Sequence, residues 1–315
     1  MVRMPTLSIA IPTYNGEDTI VEAIRSVDQE GIDEIVISDN YSTDNTEIII
    51  KNLHNDKIKY FRNDQNLGFD QNCDLAVKRG TKDYVWLFSD DDIIQPDAVK
   101  KVLAVLMKYP ELAVISVNHS IHDYSLKQVV IERYNPNATD MLMNGIDEFL
   151  KTTWKSQSLI STNIIRRDLW IQQDSSCFFG NFYIHVSKVF GIVAGRLSYY
   201  IAEPLVLNRS GDQRRPWTPQ RLISDDLHLI KRLYLSGALG STIRHCTNIS
   251  VRGIPRKIII TKRMNFPLEK NQMPSFIRYY GSSVFFWIIC IPMFLLPPTV
   301  YHVGARVQNW LGIKI

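Results

Sequence analysis

Tyr84-Val85-Trp86-Leu87-Phe88-Ser89-Asp90-Asp91-Asp92-Ile93-Ile94-Gln95-Pro96-Asp97-Ala98-Val99 carries the reading that decides the fold. Five apolar residues in unbroken succession suit a strand buried on both faces, as in a parallel sheet covered by helices. Three adjacent aspartates follow with no spacer. Carboxylates so close repel one another, which marks this strand end as a candidate site. An acidic first helical turn, favoured by the helix dipole, is the plainer alternative. Pro96-Asp97 then suits the start of a helix running to Lys108.

The same alternation extends outward through the first 120 residues. Leu7–Ile11, Glu34–Ile37, Ile58–Phe61 and Ala113–Val117 read as further strands. Thr19–Gln29, Thr43–Leu53 and Asp70–Lys78 carry helical periodicity between them, with Ser42 or Thr43 placed to cap the second. Repeated β-α-β units predict an α/β fold with a mostly parallel central sheet flanked by helices. Ligands bind such sheets at the carboxyl ends of the strands. Beyond residue 120 the pattern loosens, with Lys127–Arg133 and Leu159–Ile165 expected as strands and Ile146–Trp154 as a helix.

Three polar clusters lie at the strand ends, Pro12-Thr13-Tyr14-Asn15-Gly16, Ser38–Asp44 and Ser89–Asp92. An aromatic such as Tyr14 suits a nucleotide base, and a buried carboxylate accepts a base N–H. Clustered carboxylates suit a hard cation with oxygen ligands. Asp39–Asp44 also fits plain turn and cap residues. No G-x-G-x-x-G follows the first strand and no G-x-x-x-x-G-K-[ST] occurs, which disfavours dinucleotide dehydrogenases and P-loop enzymes. Downstream, Arg209, Arg214 and Arg215 surround a Gly211 turn, and arginine forks suit diphosphates. A solvated basic loop is the alternative there.

The succession IPTYN, IVISDNYSTDNT, NDQNLGFDQN and YVWLFSDDDIIQPDAV resembles family 2 glycosyltransferases of the GT-A fold, clearly over about residues 5–120 and loosely to 215. The resemblance implies transfer of a sugar from a nucleotide-sugar to an acceptor hydroxyl, with inversion. It places Pro12, Thr13 and Tyr14 in the nucleotide pocket with Asn15 and Glu17 near it, and Asp39 on the base. Asn66 and Gly68 fall beside the diphosphate, Asp90 beside ribose and sugar, and Asp91, helped by Asp92, on Mn²⁺ or Mg²⁺. Ser89 stands where the family's first Asp usually stands. The family's Glu-Asp pair, which supplies the base, is absent. His185 is chosen for that role because an imidazole suits base chemistry near neutral pH, with Asp174 as the fallback. A weaker similarity to abequosyl-type O-antigen transferases rests on Tyr183-Ile184-His185 and PLVLNRSGD. Pro216 replaces the Arg of the Gln-x-x-Arg-Trp element of processive synthases, so single addition is expected.

The rivals are a sugar nucleotidyltransferase and a non-catalytic, membrane-tethered nucleotide-binding scaffold. The first wants a basic phosphate loop after strand one, and PTYNGED has no Lys or Arg.

Charge divides the chain. Residues 241–315 hold ten Lys or Arg against Glu269 alone, while the 315-residue whole carries +4. An acidic body with a basic tail suggests an anionic partner for the tail. Tyr279–Ala305 carries no formal charge over 27 residues, but Pro292, Pro297 and Pro298 interrupt it. Lipid cannot replace backbone donors lost at proline, so docking on a membrane surface is expected rather than a span. Residues 1–215 are expected to form the GT-A domain, with 1–120 binding donor and 120–215 holding the acceptor side. Residues 216–315 form a helical appendage. Cys73, Cys177, Cys246 and Cys290 show no C-x-x-C spacing, and an apolar strand starts by Thr6, so a cytoplasmic, membrane-peripheral enzyme is expected. The acceptor that the resemblance implies is a bacterial surface glycan, such as a polyprenyl-diphosphate-linked one, with no nucleic acid.

Overall fold

The computed structural model describes residues 4–180, 182–211, 219–263 and 273–301. It divides into two compact units, residues 1–213 and 214–315. Arg214, Arg215, Pro216, Trp217 and Asn181 lie outside the described residues.

The first unit is built on one ten-stranded sheet. β1 (Leu7–Thr13), β2 (Glu34–Asp39), β3 (Ile58–Arg62) and β4 (Tyr84–Leu87) run parallel in the order β3-β2-β1-β4. α1 (Ile20–Val27), α2 (Thr46–Lys51) and α3 (Phe69–Arg79) make the crossovers, and α4 (Ala98–Lys108) follows β4 and the short β5 (Ile93–Ile94). Every residue of β1, β2 and β4 is buried, which is why these strands read as continuous apolar runs. β3 lies at the edge and is only partly buried. The four strands end together, so the loops after β1, β2 and β4 share one rim.

The rest of the sheet departs from simple βαβ succession. β9 (Asn163–Arg166) wedges antiparallel between β4 and β6 (Val114–His122). β10 (Leu197–Arg209) lies parallel to β6 and pairs antiparallel with β5. β7 (Val129–Ile131) adds to β6 and β8 (Met141–Asn144) to β10. α5 (Gly145–Thr153), α6 (Arg167–Ile171) and α7 (Ile184–Val193) complete the unit. The strand expected over Leu159–Ile165 begins only at Asn163, because Ile160–Thr162 forms a 3₁₀ turn. Thirteen-residue β10 escapes the sequence pattern because Glu203-Pro204 interrupts it. The register shifts on both sides of Pro204, so the residue without an N–H sits in a bulge. β10 nevertheless matters most for the site, since it delivers Asn208 and Arg209 to the strand-end rim.

The second unit comprises α8 (Pro219–Tyr234), α9 (Gly240–Arg263), α10 (Met273–Tyr280), a π turn (Phe286–Cys290) and α11 (Ile291–Leu295). Phe276 anchors its aromatic core, 5.1 to 6.4 Å from the rings of Tyr280, Phe286 and Phe294. Pro292 follows directly on the π turn at the start of α11, and Pro297-Pro298 follow its end. Among the described residues no helix is long and apolar enough to cross a membrane.

Candidate active site

The β1 and β2 loops are sewn together. Asn15 N–H donates to Ser42 Oγ (3.0 Å), Gly16 N–H to Thr46 Oγ1 (2.9 Å) and Glu17 N–H to Asp44 Oδ2 (3.1 Å). In return Thr43 N–H donates to Asn15 Oδ1 and Asn45 N–H to Glu17 Oε2. Asn15 and Glu17 therefore shape the rim. The N-cap of α2 is Asn45, in place of the expected Ser42 or Thr43, and the preceding Asp44 supports the turn, its Oδ1 accepting from Thr46 N–H and Oγ1. Pro12 is buried, while Tyr14 stands exposed.

Thr13 Oγ1 donates to Asp90 Oδ2 at 2.6 Å, joining the ends of β1 and β4. A Cβ on Gly16 would lie 2.6 Å from Thr13 Oγ1 and 2.8 Å from Asp90 Oδ2. Gly16→Ala is thus expected to break this pair and lower donor affinity at least tenfold, because all three atoms belong to the rim. Titration calorimetry with a nucleoside diphosphate checks it, and unchanged affinity would show that the rim tolerates the methyl.

Asp39 is fully buried at the end of β2. Its Oδ1 accepts from Ser42 N–H (2.8 Å) and Oγ (2.6 Å), and Oδ2 from Tyr60 Oη (2.5 Å). A carboxylate offers about four lone-pair positions, so acceptor capacity remains for a base N–H. Burial and that hydrogen bond together push the Tyr60 phenol well up, keeping it a donor. Behind Asp39, asparagines set the loop before α3. Asn40 Nδ2 donates to Asn66 Oδ1 (2.8 Å), Leu67 N–H to Asn40 Oδ1 (2.9 Å), and Asn63 Nδ2 to Asn72 Oδ1 (3.0 Å). Gly68, at φ +82, closes the turn with its N–H on Asn66 Oδ1, a conformation that favours glycine. The sequence pointed to Asn66 and Gly68 in this loop and not to Asn40, Tyr60, Asn63 and Asn72, which the structure shows bonded around it. Their concentration at strand ends and the α3 start was the available signal.

The aspartate run separates by direction. Asp91 is half-buried at the rim, and Ser89 Oγ donates to its Oδ1. Ser89 thus orients the ligand candidate beside it. Asp92 turns inward instead and is fully buried. Its Oδ1 accepts from Asn208 Nδ2 (3.0 Å) and Arg209 N–H (3.1 Å), and its Oδ2 from Ser161 Oγ (2.6 Å). Burial and then the charge of Asp91 raise its pKa. Asp92 is therefore a strut between β4, the 3₁₀ turn and β10, in place of the expected metal ligand. Arg209 also differs from expectation. Its guanidinium donates to the carbonyls of Asp91 (Nε, 2.9 Å) and Tyr124 and to the Glu22 carboxylate, so each of its three nitrogens is engaged within the protein. It holds the Asp91 backbone in place.

His185 starts α7 with its ring 2% exposed, 6.4 Å from the Phe69 ring and 5.9 Å from Tyr183. Neither ring nitrogen has a hydrogen-bond partner of good geometry, although backbone of Gln157 and Ser158 faces the ring. Asp70, on α3, accepts from Phe182 and Ile184 N–H and so pins the start of α7 to α3. Burial pushes the His185 pKa down to about 4, against the charge of Asp70. Asp174 is exposed and accepts from Ser176 N–H (3.0 Å) and Oγ (2.8 Å), bonds that lower its pKa.

His119, stacked 4.4 Å from Tyr134, is likewise pushed by burial to about 4. Both imidazoles protonate near 6.5 once unfolded, so their contribution is complete above that pH and is lost as pH falls toward 4. By pH 5 each costs about 2 kcal/mol. Thermal denaturation should show the melting temperature dropping between pH 7 and 5. His119→Phe, which keeps the stack, should flatten the slope, and an identical slope would contradict the assignment.

Among the described residues no three His, Cys, Asp or Glu side chains cluster to hold a metal. A rim with one oriented carboxylate does fit Mg²⁺ or Mn²⁺, which keep several waters and take one or two protein carboxylates plus substrate phosphates.

The family model of glycosyl transferase family 2 matches residues 8–173, which span β1 to the end of α6. The chain is 30% identical over 254 residues to abequosyltransferase RfbV of Salmonella typhimurium, covering 71% of this chain and 73% of that one. It is 32% identical over 106 residues to the GalNAc(5)-diNAcBac-PP-undecaprenol beta-1,3-glucosyltransferase of Campylobacter jejuni, 32% and 34% of the two chains. S. aureus TarS 1–349 in complex with UDP shares the fold at TM-score 0.62 and 17% identity, over 88% of this chain and 79% of that one. A Pyrobaculum calidifontis mannosyltransferase in complex with GDP-Man and Mn²⁺ does so at TM-score 0.54 and 14% identity, over 99% and 89%. With the rim, the sheet order and these likenesses in agreement, the chain belongs to glycosyl transferase family 2 and is a glycosyltransferase of the GT-A fold.

Proposed function

We propose that the protein moves one sugar from a nucleoside-diphosphate sugar to a hydroxyl of a lipid-linked glycan. This is a step in building a bacterial surface polysaccharide, taken at the cytoplasmic face of a membrane. The observation that carries the donor reading is the meeting of Thr13–Asp90, Asp39 and Asp91 at the ends of neighbouring strands. Tyr14 and Asp39 take the base, and the Asn66–Gly68 turn approaches the diphosphate. Asp90, held by Thr13, faces ribose and sugar. A divalent cation on Asp91 would neutralise charge developing on the leaving diphosphate. A base removes the acceptor proton as the acceptor oxygen attacks the anomeric carbon and the carbon–oxygen bond to the diphosphate breaks, inverting that centre. His185 is assigned this role over Asp174, whose two oxygens are engaged with Ser176. The acceptor class is supported by the relative that acts on a PP-undecaprenol-linked glycan, and the abequosyltransferase relative supports sugar transfer.

A thermal-shift series of nucleoside diphosphates with and without Mn²⁺ tests the donor reading, since ligand binding to the native state raises its melting temperature. One diphosphate should stabilise the chain with Mn²⁺ and weakly without it. Asp39→Ala should shrink that shift at least tenfold in apparent affinity yet keep its Mn²⁺ dependence. No stabilisation by any nucleotide would remove the proposal.

A further inference from the structure

We propose that the face formed by Val284–Val300 in the second unit lies flat on an anionic lipid surface. The inference extends the lipid-linked acceptor above by naming the surface that meets the membrane. Val284, Trp287, Ile288 and Leu295 are 71, 47, 65 and 77% exposed, within a stretch that carries no formal charge. Apolar surface gathered in this way marks an interaction site. It is held from beneath, because Phe286, Cys290 and Phe294 on the same segment are buried against Phe276 and α9. The segment is therefore amphipathic, with a rigid underside and an apolar outer side.

Three features suit this face to lipid. The Trp287 indole N–H already donates to Gly281 O at 2.8 Å, so the ring can enter a headgroup layer without an unpaired donor. Lys262 Nζ donates to the carbonyls of Phe294 (3.1 Å) and Leu296 (3.0 Å), which satisfies the end of α11 and sets a cation at the rim of the face. Arg278, exposed and 5.8 Å from the Tyr279 ring, is another basic residue of the same unit. Residues 241–301 hold eight Lys or Arg against Glu269 alone. Charge decides between occupants. A second copy would bring two such basic regions together, whereas anionic headgroups complement them. Depth follows from length. The π turn and α11 have five residues each, about 15 Å of helix against roughly 30 Å of hydrocarbon, so the segment lies in the interface.

The test is sedimentation of the full chain with phosphatidylglycerol or phosphatidylcholine vesicles, read without any turnover assay, so donor or acceptor identity can be wrong while the surface stands. Binding should be at least tenfold tighter to phosphatidylglycerol. The Ile288→Ser/Leu295→Ser double variant, altered only at exposed positions, should lose at least tenfold. Acyl-brominated lipid should quench fluorescence that is missing in Trp287→Phe. Absence of binding to phosphatidylglycerol, or equal binding by the double variant, overturns the proposal. So does a dimer that the double variant dissociates, which would make this face a contact between copies.

Discussion

Asp91→Ala is expected to lower kcat/KM on the order of 10³-fold or more, with the melting temperature of the free chain nearly unchanged. The two halves of this expectation come from one placement. The carboxylate is half-buried at the rim and oriented by Ser89, so its removal strips charge from the donor site and leaves the core intact. The three contacts that hold the loop belong to Asp92, and the contact with the Asp91 carbonyl belongs to Arg209. Nucleotide affinity of the variant should also lose its dependence on Mn²⁺, which calorimetry at matched ionic strength reads directly. Activity within a few fold of wild type would return the metal to another residue.

His185→Ala and His185→Phe should each lower turnover by about 10² to 10⁴ while donor affinity stays within threefold. Two variants are needed because the ring is packed between Phe69 and Tyr183, where Ala leaves a cavity and Phe keeps the volume. Loss in both, with the Phe variant still stable, separates chemistry from packing. The pH profile supplies the sign. A base works deprotonated, and burial holds this imidazole neutral down to about 4. kcat/KM should therefore run flat from pH 8 to about 6 and fall only on further acidification. Asp174→Ala should stay near wild type, because that carboxylate is exposed and caps Ser176. A dead Asp174 variant beside an active His185 variant would move the assignment.

The parallel half of the fold was legible because three of its four strands are buried on both faces and its helices on one, so periodicity reports them directly. Polar residues closing such strands were equally legible, and Thr13, Asp39 and Asp91 do lie at neighbouring strand ends. The other half was legible only in part. β6, β7 and α5 fall where they were expected and β9 overlaps the expected strand, but its antiparallel place between β4 and β6 was not readable, and β10 crosses a proline and carries no clean local period. Side-chain roles divided along the same line. Asp91 and Asp92 are indistinguishable in sequence, and only the fold faces one to the rim and gives the other partners 69, 116 and 117 residues away. Arg209 reads as a phosphate fork until Glu22, 187 residues distant, is found beside it. Local pattern depends on which residues leave water, and the sequence by itself determined that much, including where the carboxylates gather. Which carboxylate stays available depends on donors brought from distant strands, and only the tertiary structure decided it.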